Sequence, residues 1–238
     1  MIFANVRNIN ASADANPESL RISVDTKATV NVGEYSRGGK SRGITAVAAL
    51  DHDMPPNEKL IPGGILETVS GKSFLFFGNS CKTSDFLADG LLLLWNERQQ
   101  ELSHIKHLVV NMDNGPECNG HRSQFLHRME KFADSTGLTL QLVYYPPYHS
   151  KYNGIERFCA GLEKSWNGYL LDSVITVLNR AAAFAWKKTK PIVKLLDAVY
   201  EKGVNPSNKE KRMLENRISR SNELPWWDIT IYPNMVLL

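Results

Sequence analysis

The sequence predicts an α/β fold in which helices flank a mixed β-sheet. In the first third of the chain, apolar and β-branched residues alternate with polar and turn residues, which is typical of antiparallel strands. From about residue 83 the apolar spacing becomes that of amphipathic helices. Short, continuously apolar segments then alternate with these helices, as strands covered on both faces do.

The antiparallel part begins with RISVDTKATVNV (21–32), which predicts a strand or the first arm of a hairpin. The segment ITAVAAL (44–50) is apolar enough for a second strand. GILETVSGKSFLFFG (64–78) then predicts a hairpin that turns at Ser70 and Gly71.

The alternating part begins with a helix that Thr83 or Ser84 can cap. We expect the following elements after it: a strand at 107–112, a helix at 121–135, a strand at 138–145 and a helix at 155–166. Further on, the pattern predicts a helix over 173–188 and a second one over 192–201. A polar stretch that could be mobile comes next, and PWWDITIYP could dock back onto the fold.

This order predicts three parts of the chain. Residues 1–20 form an N-terminal connecting segment, 21–171 form the α/β core, and 172–238 form a mostly helical extension. At 238 residues the chain suits one large globular domain.

Composition excludes several classes of protein. The formal net charge is only +3 and the pI about 8.7, which hints at an anionic partner without establishing one. The three cysteines lie far apart with no CxxC pair, so neither a disulfide framework nor a zinc ribbon is indicated. The N-terminus does not resemble a secretory signal, and the longest apolar run is too short to cross a bilayer. We therefore expect a cytoplasmic protein with no membrane partner and no small-molecule cofactor.

Three acidic residues stand at positions where chemistry is plausible. Asp25 interrupts an apolar strand, where it faces either solvent or a cation-holding cleft. Asp113 ends a buried strand, and its DNG context is either a plain turn or a site at the carboxyl end of a sheet strand. Glu156 lies three residues after Asn153, so it fits a helix capping box as well as a ligand position.

Together the three acids form a more informative pattern than each does alone. Carboxylates from neighbouring elements can hold one or two Mg²⁺ ions, which prefer oxygen ligands. Such a pair of ions supports phosphodiester chemistry. Asp51, His52 and Asp53 are rival ligands, whereas Cys118 and His121 lack the second pair that a zinc site needs.

Several blocks around these acids resemble one bacterial group of DDE transposases, the ISAzo family of insertion sequences. The blocks are ISVDTKATVNVGEYSRGGKSRG, the DHD at 51–53, DNGPECNGHR and YYPPYHSKYNGIER, in the expected order. The similarity runs from about residue 3 to about residue 180. It implies an RNase H-like core, and two Mg²⁺ or Mn²⁺ ions held by the catalytic residues Asp25, Asp113 and Glu156.

The resemblance also implies DNA strand cleavage and strand transfer on transposon ends and target DNA, with self-association on DNA and a bacterial, nucleoid-associated location. Two groups of residues become candidate DNA contacts. The first lies near the first strand and its loop: Lys27, Arg37, Lys40 and Arg42. The second lies around the start of the last core helix: His149, Lys151, Asn153 and Arg157.

One feature departs from the family pattern. Members usually carry an N-terminal helical region that recognises the element ends, yet here the first catalytic acid is already residue 25. We therefore expect the catalytic part alone, without an end-binding domain. An inactive or regulatory remnant that binds DNA or intact transposase is the alternative, and a carboxylate-based glycosidase is a weaker one.

Overall fold

The computed structural model describes residues 1–40, 48–50, 56, 58–146, 149 and 152–234. Within these residues it contains six helices and nine strands. The helices are α1 (Ile2–Ala15), α2 (Ser84–Arg98), α3 (Ser123–Thr136), α4 (Gly154–Ser165), α5 (Val174–Ala183) and α6 (Asn208–Glu215). The strands are β1 (Ser19–Thr26), β2 (Val30–Val32), β3 (Glu58–Glu67), β4 (Ser73–Gly78), β5 (His107–Met112), β6 (Thr139–Tyr144), β7 (Ile192–Leu196), β8 (Ile218–Arg220) and β9 (Asp228–Ile231).

The strands of the described residues form one mixed sheet in the order β7-β4-β3-β1-β5-β6-β9-β8, with β2 paired to β3. The predicted hairpin is confirmed, since β3 and β4 pair antiparallel. Strand β1 pairs antiparallel with β3 and parallel with β5, and β5 pairs parallel with β6. The parallel strands β1, β5 and β6 therefore end at the same edge of the sheet.

Helices cover both faces of this sheet. Alternate residues of β1 show the division: Ile22 and Val24 join a core cluster with Phe86 of α2 and Phe125 of α3. On the other face α4 contributes the buried stripe that its sequence predicts, namely Ile155, Phe158, Cys159 and Leu162. Side chains of β1 that alternate with the first cluster, such as Asp25, therefore point toward the α4 side.

Helix α1 occupies most of the segment that we expected to connect to the core. Its buried residues Val6 and Ala13 pack with Val109 and Val143 of the central strands. After Ile9 the helix has no apolar residue larger than alanine, so the apolar stripe that Ile2, Val6 and Ile9 begin is short. The packing of α1 against the sheet, rather than its sequence pattern, shows that this helix belongs to the fold.

The prediction of a helix over 192–201 is wrong. Its first five residues form β7, which pairs parallel with β4 at the edge of the sheet. IVKLL is too short an apolar run for its spacing to distinguish a helix from a strand, and the exposed edge of β4 decides the outcome. The extension is therefore only partly helical, because it also supplies β8 and β9.

The segment PWWDITIYP packs against the rest of the fold, as predicted. Strand β9 lies within PWWDITIYP and pairs antiparallel with β6, so it covers the second edge of the parallel strands. The segment predicted as a strand at 44–50 lies mostly outside the described residues. No helix in the described part of the chain combines the length and the apolar character that a bilayer span requires.

Candidate active site

The register of the central strands brings two of the three predicted acids together. Ser23 of β1 is level with Asn111 of β5 in a parallel pair. Two residues further along each strand are Asp25 and Asp113. Because adjacent strands lie about 4.8 Å apart, both carboxylates begin at the same edge of the sheet.

Helix α4 carries the third acid, Glu156, and buried hydrogen bonds hold the start of this helix against β1. The Asn153 side chain is fully buried, and its Nδ2 donates a hydrogen bond to the carbonyl oxygen of Val24 at 3.2 Å. Ser23 Oγ donates to Asn153 Oδ1 and accepts from the Ile155 N–H at 2.8 Å. A serine of β1 therefore caps the helix that carries Glu156.

This link corrects two interpretations of Asn153. Its side chain makes no capping hydrogen bond to α4, so the capping box with Glu156 is wrong. A fully buried amide that is bonded to β1 also cannot contact DNA in this structure. Asn153 instead fixes the start of α4 against the strand that bears Asp25.

The three acids line one pocket of about 190 Å³. Its charged lining residues are Asp25, Asp113, Glu117, Glu156, Lys27 and Lys82. Four carboxylates and two ammonium groups leave a net charge of −2 when all six are ionised. The pocket therefore carries surplus negative charge at the carboxyl ends of β1 and β5.

Lys27 bridges two of the acids. Its Nζ donates to Asp25 Oδ2 at 2.6 Å and to Glu156 Oε2. Asp25 Oδ1 accepts from the Thr26 N–H at 2.7 Å, so both oxygens of Asp25 are engaged. The Lys27 side chain is only 17% exposed, which makes this contact a partly buried ion pair.

The carboxylates affect one another electrostatically. Burial raises the pKa of Asp25 to about 6, while Lys27 opposes the rise and Asp113 and Glu156 add to it. Burial likewise raises the pKa of Asp113, with Lys82 opposing and Glu156 contributing. Burial lowers the pKa of Lys27, but its two carboxylate partners outweigh that effect and raise it overall. Burial and the neighbouring carboxylates therefore disfavour the ionised forms of Asp25 and Asp113.

The donor set has the chemistry that Mg²⁺ or Mn²⁺ prefers, since its members are carboxylate oxygens. Within the part of the chain that is described, no three acidic, histidine or cysteine side chains stand close enough to hold one ion. Lys27 lies between two of the predicted ligands instead. The pocket thus fits a divalent cation by charge and donor type, and the ligand roles of Asp25, Asp113 and Glu156 stay predictions.

The other candidate DNA contacts lie around this pocket in different settings. Arg37 is half-buried over the ring of Trp166, 5.6 Å from its centroid. Lys40 and Arg157 are exposed. His149 packs edge-on against Phe3 of α1 with ring centroids 5.1 Å apart.

Other predicted positions cannot be placed or take structural roles. Arg42, Lys151 and the DHD at 51–53 lie outside the described residues. Cys118 is buried, and His121 stacks on Trp226 with ring centroids 3.9 Å apart.

Sequence reasoning missed three residues of the pocket and its support. Lys82 and Glu117 line the pocket and pair with each other at 3.7 Å, although no sequence pattern joins them. Ser23 had a usable signal, because it is a polar residue two positions before Asp25 and therefore on the same face of β1.

The fold and the pocket define a class: an α/β domain that gathers acids at the carboxyl ends of its central strands, as polynucleotidyl transferases of the transposase and integrase type do. The chain belongs to the family described as the Rhodopirellula transposase DDE domain, whose match spans residues 1–233. No curated protein matches the sequence.

Two solved structures of Mos1 transposase are similar in fold. The Mos1 paired-end complex with the left transposon end has a TM-score of 0.51 at 10% identity, over 74% of this chain and 50% of that one. The Mos1 mariner paired-end complex with Mn has a TM-score of 0.50 at 11% identity, over 73% and 50%. The chain therefore spans half the length of these transposases, and at such identities the likeness concerns the fold.

Proposed function

We propose that this domain cleaves DNA strands and joins them to a target in a metal-dependent reaction. The observation that carries the proposal is the convergence of Asp25, Asp113 and Glu156, from β1, the end of β5 and α4, on one negatively charged pocket. The family to which the chain belongs supports it, because its description is that of a transposase DDE domain.

The three carboxylates would hold two Mg²⁺ or Mn²⁺ ions. Bound there, such ions would supply activation of an attacking oxygen and stabilisation of a leaving one. The protein's own contribution is position: the β1 and β5 register sets Asp25 beside Asp113, and Asn153 ties Glu156 to the same edge. The surplus negative charge provides the electrostatic attraction for the cations.

DNA would be held by basic groups around the pocket. Arg37, Lys40 and Arg157 lie on the described surface or close to it, and Arg42 and Lys151 are further candidates by sequence. His149 could contribute a weaker polar contact. The Mos1 structures are paired-end complexes, and by analogy we propose that this domain acts on transposon ends and self-associates on DNA. Its place of action would be the nucleoid of a bacterial cytoplasm.

A strand-transfer assay tests this function. The protein is incubated with a labelled DNA end bearing a free 3′-hydroxyl, a supercoiled target plasmid, and Mg²⁺ or Mn²⁺. We expect nicked or joined products that disappear in Asp113→Asn. The matched control is Glu18→Gln, which removes one negative charge from an exposed ion pair with Lys106, next to the start of β1. Products that persist unchanged in Asp113→Asn would reject the proposed chemistry.

The regulatory alternative predicts a different outcome of the same experiment. A non-catalytic remnant would retain a gel shift with the labelled DNA in both variants and yield no product in any of them. A DNA shift without products, obtained with protein that demonstrably binds Mn²⁺, would favour that alternative.

A further inference from the structure

Lys27 contacts the oxygen atoms that a divalent cation would need. Its Nζ is bonded to Asp25 Oδ2 at 2.6 Å and to Glu156 Oε2. An ammonium group and a metal ion both seek the lone pairs of carboxylate oxygens, and they repel each other at close range. The two cations therefore compete for the same side of the pocket.

The backbone holds Lys27 at this position. Its N–H donates to the carbonyl oxygen of Pro62 on β3 at 2.9 Å, so the side chain starts from a fixed point beside the end of β1. Lys82, the second lysine of the lining, pairs with Glu117 at 3.7 Å and is 36% exposed. Of these two lysines, Lys27 makes the closer contact with the predicted ligands.

A neighbouring pocket offers the Lys27 ammonium group an alternative position. Lys27 lines a second pocket of about 250 Å³ next to the first, which Arg37, Glu163 and Trp166 line as well. Glu163 lies seven residues after Glu156 on α4, hence on the same face of the helix. A side chain that leaves Glu156 would therefore find both space and another carboxylate nearby.

We propose that Lys27 is a built-in counter-ion, which holds Asp25 and Glu156 together before metal binds and leaves their oxygens when a divalent cation enters. This inference rests on the proposed function, because it takes these acids to be metal ligands. In the absence of metal, Lys27 thus keeps the pocket folded, at the expense of metal affinity. Its role is one of positioning and competition.

Metal titration of Lys27→Met tests the proposal, with Lys27→Arg as the charge-conserving control. The readouts are the Kd for Mn²⁺ from calorimetry and the melting temperature with and without Mn²⁺. We expect Lys27→Met to melt at a lower temperature than the wild type without metal. We also expect it to bind Mn²⁺ at least about fivefold more tightly, as removal of a coupled competitor should. Lys27→Arg should stay close to the wild type.

The outcomes separate this inference from the proposed function. If the wild type binds Mn²⁺, Asp113→Asn does not, and Lys27→Met binds with equal or lower affinity, the counter-ion role is wrong while the metal site stands. If neither the wild type nor Lys27→Met binds Mn²⁺, both the proposed metal site and the proposed counter-ion role are wrong.

A measurement on the wild-type chain covers the case in which Lys27→Met does not fold. Amine-reactive labelling followed by mass spectrometry reports the accessibility of each lysine. Addition of Mn²⁺ should increase the labelling of Lys27, because its ammonium group leaves the two carboxylates. The exposed Lys106, whose side chain is 73% accessible, should be labelled equally in both conditions. Unchanged labelling of Lys27 in protein that binds Mn²⁺ would overturn the proposal.

Discussion

Two clusters of charged residues on the same sheet differ in their charge balance. In the Glu67 cluster, Glu67 at the end of β3 pairs with Arg98 at the end of α2, and Glu101 and Lys72 complete the group. It contains two carboxylates and two cations. The candidate active-site pocket has four carboxylates and only two lysines.

The ion pairs at the centres of the two clusters also differ in burial, although Lys72 and Glu101 of the Glu67 cluster are 47% and 55% exposed. The Glu67 and Arg98 side chains are 7% and 8% exposed, and they neutralise each other directly. In the pocket Glu156 keeps 27% exposure, and open space adjoins the acids. The balanced, buried Glu67–Arg98 pair joins two elements of the fold, whereas an unbalanced cluster beside open space leaves room for an added cation. Charge balance therefore separates a structural ion pair from a candidate binding site.

The largest effect should come from breaking the balanced cluster. Arg98→Met leaves Glu67 buried without its partner, and we expect a loss of about 3 to 5 kcal/mol in the free energy of unfolding. Urea denaturation measures it. The double variant Arg98→Met, Glu67→Gln should recover part of this loss, because no uncompensated charge remains. If Mn²⁺ shifts the melting temperature of the wild type, it should shift that of the folded variant equally.

The link between β1 and α4 should combine stability with site geometry. Ser23→Ala leaves the Ile155 N–H and the Asn153 Oδ1 atom without their buried Ser23 partner, which should cost about 1 to 3 kcal/mol. The affinity for Mn²⁺ should also fall, because Glu156 is no longer held against β1. Isothermal calorimetry and urea unfolding give the two quantities.

Ser173→Ala provides the matched control for that variant. Ser173 caps α5 by accepting from the Thr176 N–H, and α5 carries none of the candidate site residues. Its loss should destabilise the protein by about 1 kcal/mol and leave Mn²⁺ binding unchanged. Equal effects of both variants on Mn²⁺ affinity would show that the Ser23 link does not position Glu156.

Neutralising Asp113 should change stability less than the Ser23→Ala substitution does, and it should raise stability rather than lower it. Burial raises the pKa of Asp113, so its ionised form costs stability in the folded state at neutral pH. Asp113→Asn removes that cost, and the metal-free protein should melt at the same or a higher temperature. Differential scanning fluorimetry should show this together with a lost Mn²⁺ shift. A large drop in the metal-free melting temperature would mean that Asp113 is structural, as Glu67 is.

The smallest effect is expected for the Lys82–Glu117 pair of the pocket, in which Lys82 is 36% and Glu117 18% exposed. Lys82 lies 3.7 Å from Glu117 and is more exposed than Lys27. Lys82→Met should change the unfolding free energy by less than about 1 kcal/mol, as partly exposed pairs do. Its Mn²⁺ affinity should rise less than that of Lys27→Met. The reverse order of affinities would indicate that Lys82 is the main competing cation.

Periodicity predicted the central elements because their environment imposes it. HLVVNM is buried along almost its whole length as β5, and α4 buries the apolar stripe visible in its sequence. Periodicity was insufficient where an element, or the apolar stripe of an element, is short. Strand β7 and helix α1 are such cases, since their contacts with the sheet rather than their own patterns determine their conformation.

Sequence patterns predicted most of the central elements and their order, with Asp25 inside the first strand, Asp113 at the end of β5 and Glu156 in the first turn of α4. They did so because side-chain spacing along the chain reports the face that each element buries. The hydrogen-bond and ion-pair partners of these acids follow from the tertiary structure. Lys27 meets Glu156 across 129 positions and Ser23 meets Asn153 across 130. Hydrogen bonds and ion pairs depend on distances in space, so the balance of charge in the pocket is a property of the folded chain.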